Sequence, residues 1–301
     1  MRCLEIKRQM TPTDIAEVSG LLAAAERADG HRPLDDHAWL DLVEGGRPGF
    51  AGLVAWEPGH DHPVAYAQVS RGNNSWALEL VVDPRHRYEM ATFGPELLDA
   101  AVSVIADSGG GHVHWWVFEP TAAHDALARE VGLAPGRTLL QMRRALPLQV
   151  AADLPTRPFR VGEDEQAWLE VNNRAFHAHP EQGGWNVDTL LTREKEAWFD
   201  ADGFLLHERD GRLAGFCWTK VHAAHDPPLG EIYVIAVDPD FHGLGLGRKL
   251  TVAGLDHLAG EGITVGMLYV DKDNTAAVSL YESLGFTVHR TDRAYTGDIR
   301  A

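Results

Sequence analysis

Hydrophobic and polar positions in the second half of the chain follow two periods, and the changes between them mark out elements. Ala167, Trp168 and Val171 lie on one side of a 3.6-residue period, which predicts a helix from Glu163 to Phe176. A second helix is expected over Val187 to Phe199. Strand-like runs follow at Gly203 to Glu208 and Arg212 to His222, joined by Asp210-Gly211, a pair suited to a tight hairpin turn. A third strand, Gly230 to Val237, leads into a glycine-rich loop and a helix from Leu246 to Gly260. The strand Thr264 to Val270 comes next. The helix Thr275 to Leu284 is expected to be capped by Asn274 and stopped by Gly285, and a last strand starts at Phe286. Antiparallel strands first, with a β-loop-α unit at the centre, give an α+β order.

The two halves of the chain echo each other. Leu80-Val81-Val82-Asp83-Pro84 recurs as Ile235-Ala236-Val237-Asp238-Pro239, Trp115-Trp116-Val117 as Leu268-Tyr269-Val270, and Val131-Gly132-Leu133 as Leu284-Gly285-Phe286. Ordered matches at a nearly constant offset of about 153–155 residues indicate a duplicated domain. Three prolines between Leu146 and Pro158 resist continuation of helix or strand. The expected domains are therefore 1–146 and 158–301, with 147–157 as linker.

Composition narrows the function. At 301 residues, 45% hydrophobic and 24% charged, the chain suits two globular domains. No apolar run reaches the length of a membrane span, and the N-terminus lacks the apolar core of a signal peptide, so a cytoplasmic protein is expected. The two cysteines, Cys3 and Cys217, form no framework, and Cys217 sits in an apolar run that reads as buried. A net charge of −17 repels nucleic acid and anionic membranes, so neither is an expected partner. A polyanionic ligand would have to be held by local backbone N–H groups. A monomer with a small-molecule substrate is expected.

The segment His242-Gly243-Leu244-Gly245-Leu246-Gly247-Arg248 concentrates the chemistry. Glycines where a strand turns into a helix leave N–H groups facing outward at the positive end of the helix dipole, a seat for pyrophosphate. It is not a Walker A loop, since Gly247-Arg248-Lys249-Leu250 lacks the GK[ST] ending, and its G-x-G-x-G spacing departs from the dinucleotide fingerprint. Glu231, among apolar residues at the start of its strand, reads as a functional carboxylate or as a solvated strand end. Tyr281 reads as a proton donor or as a core aromatic. Closely spaced histidines such as His60-Asp61-His62 and His112-Val113-His114 match no HExxH helix or Cys/His quartet, so no metal is expected. No G-x-S-x-G elbow for a serine hydrolase is present.

Downstream of the glycine loop stands Asn274-Thr275-Ala276-Ala277-Val278-Ser279-Leu280-Tyr281-Glu282-Ser283-Leu284-Gly285-Phe286. The two segments together resemble the GNAT acetyltransferases, whose loop reads Q/R-x-x-G-x-G/A and whose later helix reads N-x-x-A-x-x-x-Y-x-x-x-G-F. Here His242 stands at the first loop position. The resemblance implies two tandem GNAT-like domains, each a mixed, mostly antiparallel twisted sheet flanked by helices, with acetyl-CoA as cosubstrate. It implies that backbone groups of Ile235, Ala236 and Val237 pair with the pantetheine arm. By the same resemblance the N–H groups of His242, Gly243, Leu244, Gly245, Leu246, Gly247 and Arg248 hold the pyrophosphate, while Asn274, Thr275, Ala276, Ala277, Val278 and Ser279 line the other side. Tyr281 would then protonate the departing thiolate, and Glu231 would act as base toward the amine.

Asn172-Asn173-Arg174-Ala175-Phe176, His179-Pro180-Glu181-Gln182-Gly183-Gly184-Trp185, Glu196-Ala197-Trp198-Phe199-Asp200, Trp218-Thr219-Lys220-Val221-His222 and Gly230-Glu231-Ile232-Tyr233-Val234 are similar to one branch of this superfamily, the mycothiol synthases. That resemblance implies acetylation of the cysteinyl amine of cysteinyl-glucosaminyl-inositol. It also implies substrate contacts from Glu181, Lys220, Glu231 and Tyr269, with Asp36 reaching in from the first domain. Lys220 also reads as a snorkelling surface lysine and Glu181 as a loop carboxylate, while Asp35 could serve in place of Asp36, or both could cap the helix at His37. The first domain departs from the pattern. After Asp83-Pro84 it lacks the G-x-G spacing, and Leu127 or Ala128 stands where a tyrosine is expected. It is expected to be degenerate and non-catalytic, although Leu80, Val81 and Val82 would keep a backbone edge for acetyl-CoA. Another small amine as acceptor, or a non-catalytic acyl-CoA-binding module, are the alternatives.

Overall fold

The computed structural model describes residues 3–72, 75–177 and 182–301, without the side chain of Asp36. The chain divides into two compact units. The first comprises Met1–Thr138 and Thr291–Ala301, the second Leu139–Arg290.

The first unit contains, in chain order, β1 (Cys3–Lys7), α1 (Pro12–Asp29), α2 (Asp36–Val43), β2 (Phe50–Trp56), β3 (Ala65–Arg71), β4 (Trp76–Val82), α3 (Met90–Asp107), β5 (Gly111–Phe118) and α4 (Ala122–Glu130). After it come β6 (Ala134–Ala145), β7 (Arg157–Pro158), α5 (Glu165–Ala175), α6 (Val187–Glu194), β8 (Phe204–Arg209) and β9 (Arg212–His222). The chain continues through β10 (Leu229–Val237), α7 (Leu246–Gly260), β11 (Val265–Asp271), α8 (Thr275–Ser283) and β12 (Thr287–Ile299). In the first unit the strands pair in the order β1, β2, β3, β4, β5, β12, antiparallel except for β4 with β5. In the second the order is β6, β11, β10, β9, β8, β7, antiparallel except for β10 with β11. Each sheet is thus mixed and mostly antiparallel, with one parallel pair, as expected.

The unit boundaries differ from those expected around the proline-rich segment. The paired residues of β12, Asp292–Ile299, lie against β5 in the first unit, and those of β6, Leu139–Ala145, lie against β11 in the second. The breaks fall within strands because a ladder is stabilised by its partner strand, whatever the distance in sequence. Residues 147–156 have no regular secondary structure, as their prolines dictate, and belong to the second unit.

Alternation along the strands gives each sheet two apolar faces. In the second unit, Trp168, Phe204, Phe216 and Trp218 pack with α5 and α6 on one face. Ile232, Leu250, Leu255, Leu268 and Tyr281 pack with α7 and α8 on the other. The hairpin between β8 and β9 turns through Asp210 and Gly211 at φ 54° and 73°, the paired left-handed conformations of a type I′ turn. α6 ends at Glu194 rather than at Phe199. Leaving the helix there lets Trp198 pack on Trp218 and Tyr233, at ring-centroid distances of 5.7 and 5.0 Å.

Candidate active site

The site begins with a divergence of two strands. β10 pairs with β11 only from Leu229 to Ile232, whereas its ladder with β9 continues to Val237. The register against β9 shifts between Ile232 and Val234. Tyr233 and Val234 consequently pack on the same face, toward α5 and α6, and Ile235 and Val237 return to the face of α7 and α8. A bulge of this kind adds twist to one strand and bends it away from its neighbour. The edge of β10 facing β11 is thereby left open along Ile235, Ala236 and Val237, the residues expected to offer backbone groups.

At the end of β10, Asp238 accepts from the N–H of Asp240 and starts a short 3-10 turn, Pro239–Phe241. His242 folds back, its Nε2 3.1 Å from the Val237 carbonyl oxygen. Gly243 and Gly245 follow at φ 79° and 70°, and a Cβ added at either would meet nothing within 4 Å. Glycine is required here by conformation, and the space beside it stays open to a ligand. Gly245 is the N-cap of α7 and supplies no side-chain acceptor, so the N–H groups of the first turn, from Leu246 to Arg248, are left for an anion. Asn274 caps α8 by accepting from Ala277 N–H, and Arg248 reaches Ser283 at 2.7 Å, linking α7 to α8. A pyrophosphate group suits this cradle of N–H groups.

Glu231 is 7% exposed, which removes the solvated strand-end alternative. Its Oε2 accepts from His222 Nε2 at 2.6 Å. Lys220 stands directly opposite Glu231 across the ladder, with its Nζ 4.4 Å from the Trp198 ring centroid and 5.5 Å from that of Tyr233. It is therefore not a freely solvated surface lysine. A cation over two aromatic faces is favourable and holds the ammonium in place.

Tyr281 lies on the other face of the sheet. It is buried beside Phe286, and burial pushes its phenol up to about 12. Tyr269 is half exposed, and its hydroxyl accepts from Gln141 Nε2 at 2.7 Å. Glu181 lies outside the described residues. On its C-terminal side, Gln182 and Trp185 are tied by their backbone to Asn172 and Asn173. In the first unit, Asp35 is the cap of α2, accepting from Ala38 N–H at 2.7 Å, and Asp36 is the first helical residue.

Residues 166–286 match the family model described as the Acetyltransferase (GNAT) family. The chain is 44% identical to the mycothiol acetyltransferase of Acidimicrobium ferrooxidans over 91% of each chain. With that of Thermobispora bispora the identity is 43%, over 97% of this chain and 99% of the relative. The chain belongs to the mycothiol acetyltransferase family. Among solved structures, a GCN5-related N-acetyltransferase from Sphaerobacter thermophilus superposes with a TM-score of 0.71 at 22% identity, covering 99% of this chain and 96% of that one. A tandem GNAT protein from the clavulanic acid biosynthesis pathway gives a TM-score of 0.64 at 16% identity, covering 99% of both chains. These two likenesses establish the tandem fold.

In this member of the mycothiol acetyltransferase family the first unit repeats the strand divergence. β4 pairs with β5 only over Trp76–Leu78, yet its ladder with β3 runs to Val82. The loop is different. Asp83 caps a longer 3-10 turn, Pro84–Glu89, which runs directly into α3, and no glycine intervenes. Leu127 and Ala128, at the positions corresponding to Tyr281, are buried apolar residues.

The contact of His222 with Glu231 is not legible in the sequence. The position of His222 two residues beyond Lys220 on the same face puts it diagonally across from Glu231, and only the register of β9 against β10 reveals this.

Proposed function

We propose that this chain transfers the acetyl group of acetyl-CoA to the cysteinyl amine of 1D-myo-inositol 2-(L-cysteinylamino)-2-deoxy-α-D-glucopyranoside. The observation that carries the chemistry is the opening between β10 and β11, with Glu231 on one face of the sheet and Tyr281 on the other. The family name carries the acceptor.

When bound, acetyl-CoA supplies an activated acyl carbon. The open edge of Ile235–Val237 would hold its pantetheine arm, and the N–H groups of residues 242–248 its pyrophosphate. The residues of α8 from Thr275 to Ser279, behind Asn274, would line its other side. Glu231, kept oriented by His222, takes the proton that the acceptor amine must lose. Tyr281 donates to the sulfur as the carbon–sulfur bond breaks. A phenol at about 12 is protonated at neutral pH, the form that can donate.

Lys220, Tyr269 and Glu231 are assigned to the acceptor, whose hydroxyls and cationic amine call for donors and acidic groups. Glu181 completes the proposed set. The first unit keeps the backbone edge of Leu80, Val81 and Val82. It lacks the open glycine turn and the phenol, and we assign it no turnover.

The test offers acetyl-CoA with the pseudodisaccharide and, separately, with a panel of common amines, and follows CoA release. Acceleration confined to the pseudodisaccharide is expected. Equal or greater acceleration by other amines would overturn the acceptor assignment, and no turnover with any amine would overturn the enzymatic reading.

A further inference from the structure

Three imidazoles meet in the first unit, where the connection between β2 and β3 approaches the turn that follows β4. His60 and His62 lie between β2 and β3, and His86 lies in the 3-10 turn Pro84–Glu89 after β4. The ring centroids of His60 and His86 are 4.8 Å apart, those of His60 and His62 5.3 Å, and those of His62 and His86 6.1 Å. One nitrogen from each ring lies within 4.8 Å of the other two. Glu57 borders the cluster, its Oε2 4.0 Å from both His60 Nε2 and His86 Nδ1, and with His86 and Glu89 it forms a second, adjoining group of donors.

Two features distinguish this cluster from a chance meeting of surface histidines. His86 is only 6% exposed, and its Nδ1 has no hydrogen-bond partner among the described residues. The same is true of His62 Nε2. Buried polar nitrogens are ordinarily paired, so two unpaired ones within a single cluster indicate a missing partner. The second feature is a carboxylate on the other side of the His62 ring. Its Nδ1 lies 3.1 Å from Asp61 Oδ1, and an N–H donated to that carboxylate leaves a lone pair on Nε2. A carboxylate behind a ligating histidine is the usual way of orienting it toward a metal.

Asp83 also faces the cluster, 3.8 Å from His62 Nε2, but it is engaged elsewhere. It accepts three hydrogen bonds from Arg85, which hold its carboxyl down at about 2.

We propose that His60, His62 and His86, with Glu57, form a binding site for a borderline divalent cation of the zinc class. Imidazole nitrogens with one carboxylate are a common donor set for such an ion. Ligands at about 2.0–2.1 Å from a tetrahedral centre stand roughly 3.4 Å apart, so the donors contract modestly around the ion. The bound ion joins the segment between β2 and β3 to the turn that starts α3. The sequence hides the site because His86 comes from a different connection than His60 and His62.

The experiment uses the full-length, untagged protein, stripped with chelator and dialysed against zinc chloride. Expected are about one zinc per chain, a raised melting temperature, and an X-ray absorption spectrum with nitrogen and oxygen ligands near 2.0 Å and no sulfur. In His60→Ala/His62→Ala, which leaves the buried His86 in place, affinity should fall by at least about 100-fold. His86→Asn should show the same loss, with circular dichroism confirming that both variants are folded. Absence of stoichiometric binding, undiminished binding by the folded double variant, or sulfur in the coordination shell would each overturn the proposal.

Discussion

His222 Nε2 lies 2.6 Å from Glu231 Oε2, a contact made diagonally across the β9–β10 ladder within a largely buried setting. If Glu231 receives the amine proton, Glu231→Gln lowers kcat by about 10²–10³-fold, the range of a lost general base. His222 acts through Glu231. His222→Gln, which can still donate to the carboxylate, should keep most of the activity, and His222→Ala should lose about tenfold in kcat. KM for acetyl-CoA should stay unchanged in all three, as steady-state kinetics under chemistry-limited conditions will show.

Tyr281→Phe removes the proton donor and leaves the ring packed on Phe286. The expected result is a fall in kcat of about 10²-fold or more, with thermal stability nearly unchanged. A near-normal kcat would remove Tyr281 from the reaction.

Burial raises the Tyr281 phenol and the Cys217 thiol to about 12 in the folded protein. Unfolded, they ionise near 10 and 8.5. The folded state therefore keeps protons that the unfolded state has lost, and stability falls as pH rises. The loss from Cys217 starts near pH 8.5 and that from Tyr281 near pH 10, each with a slope of at most about 1.4 kcal/mol per pH unit, and both end near pH 12. Urea titrations between pH 8 and 11 should show the decline. Cys217→Ala should flatten its first part.

Gly245→Ala forces an alanine into φ 70° at the start of α7. The conformation costs about 1–2 kcal/mol, and the methyl group occupies the open space where we place the pyrophosphate. KM for acetyl-CoA should rise about tenfold or more with a smaller change in kcat. An unchanged KM would show that the cosubstrate does not approach this turn.

Lys220→Met keeps the stem over Trp198 and removes the charge. The cation–aromatic contact is worth about 0.5–2 kcal/mol, so stability should drop only slightly. KM for the pseudodisaccharide should rise severalfold while KM for acetyl-CoA holds, a split that a purely structural lysine would not produce.

The parts of the site that could be read from the sequence are those fixed by local chemistry. Gly243, Gly245 and Gly285 stand where the backbone needs positive φ, Asn274 where a helix needs a cap, and Asp210-Gly211 where a hairpin closes. Each is decided within a few residues. The bulge at Tyr233, the pairing of His222 with Glu231 and the meeting of His86 with His60 depend on how separate segments align, and no short window contains that information. The end of α6 was misplaced for the same reason, since Trp198 leaves the helical course to reach rings on β9 and β10.

The unit boundaries bear on synthesis. Asp292–Ile299, which pairs with β5 in the first unit, leaves the ribosome only after all of the second unit has been made. Tyr295, fully buried against Trp115, is missing from the core of the first unit until then. The core of the amino-terminal unit is thus completed by residues from the far end of the sequence, although its other strands come from the beginning.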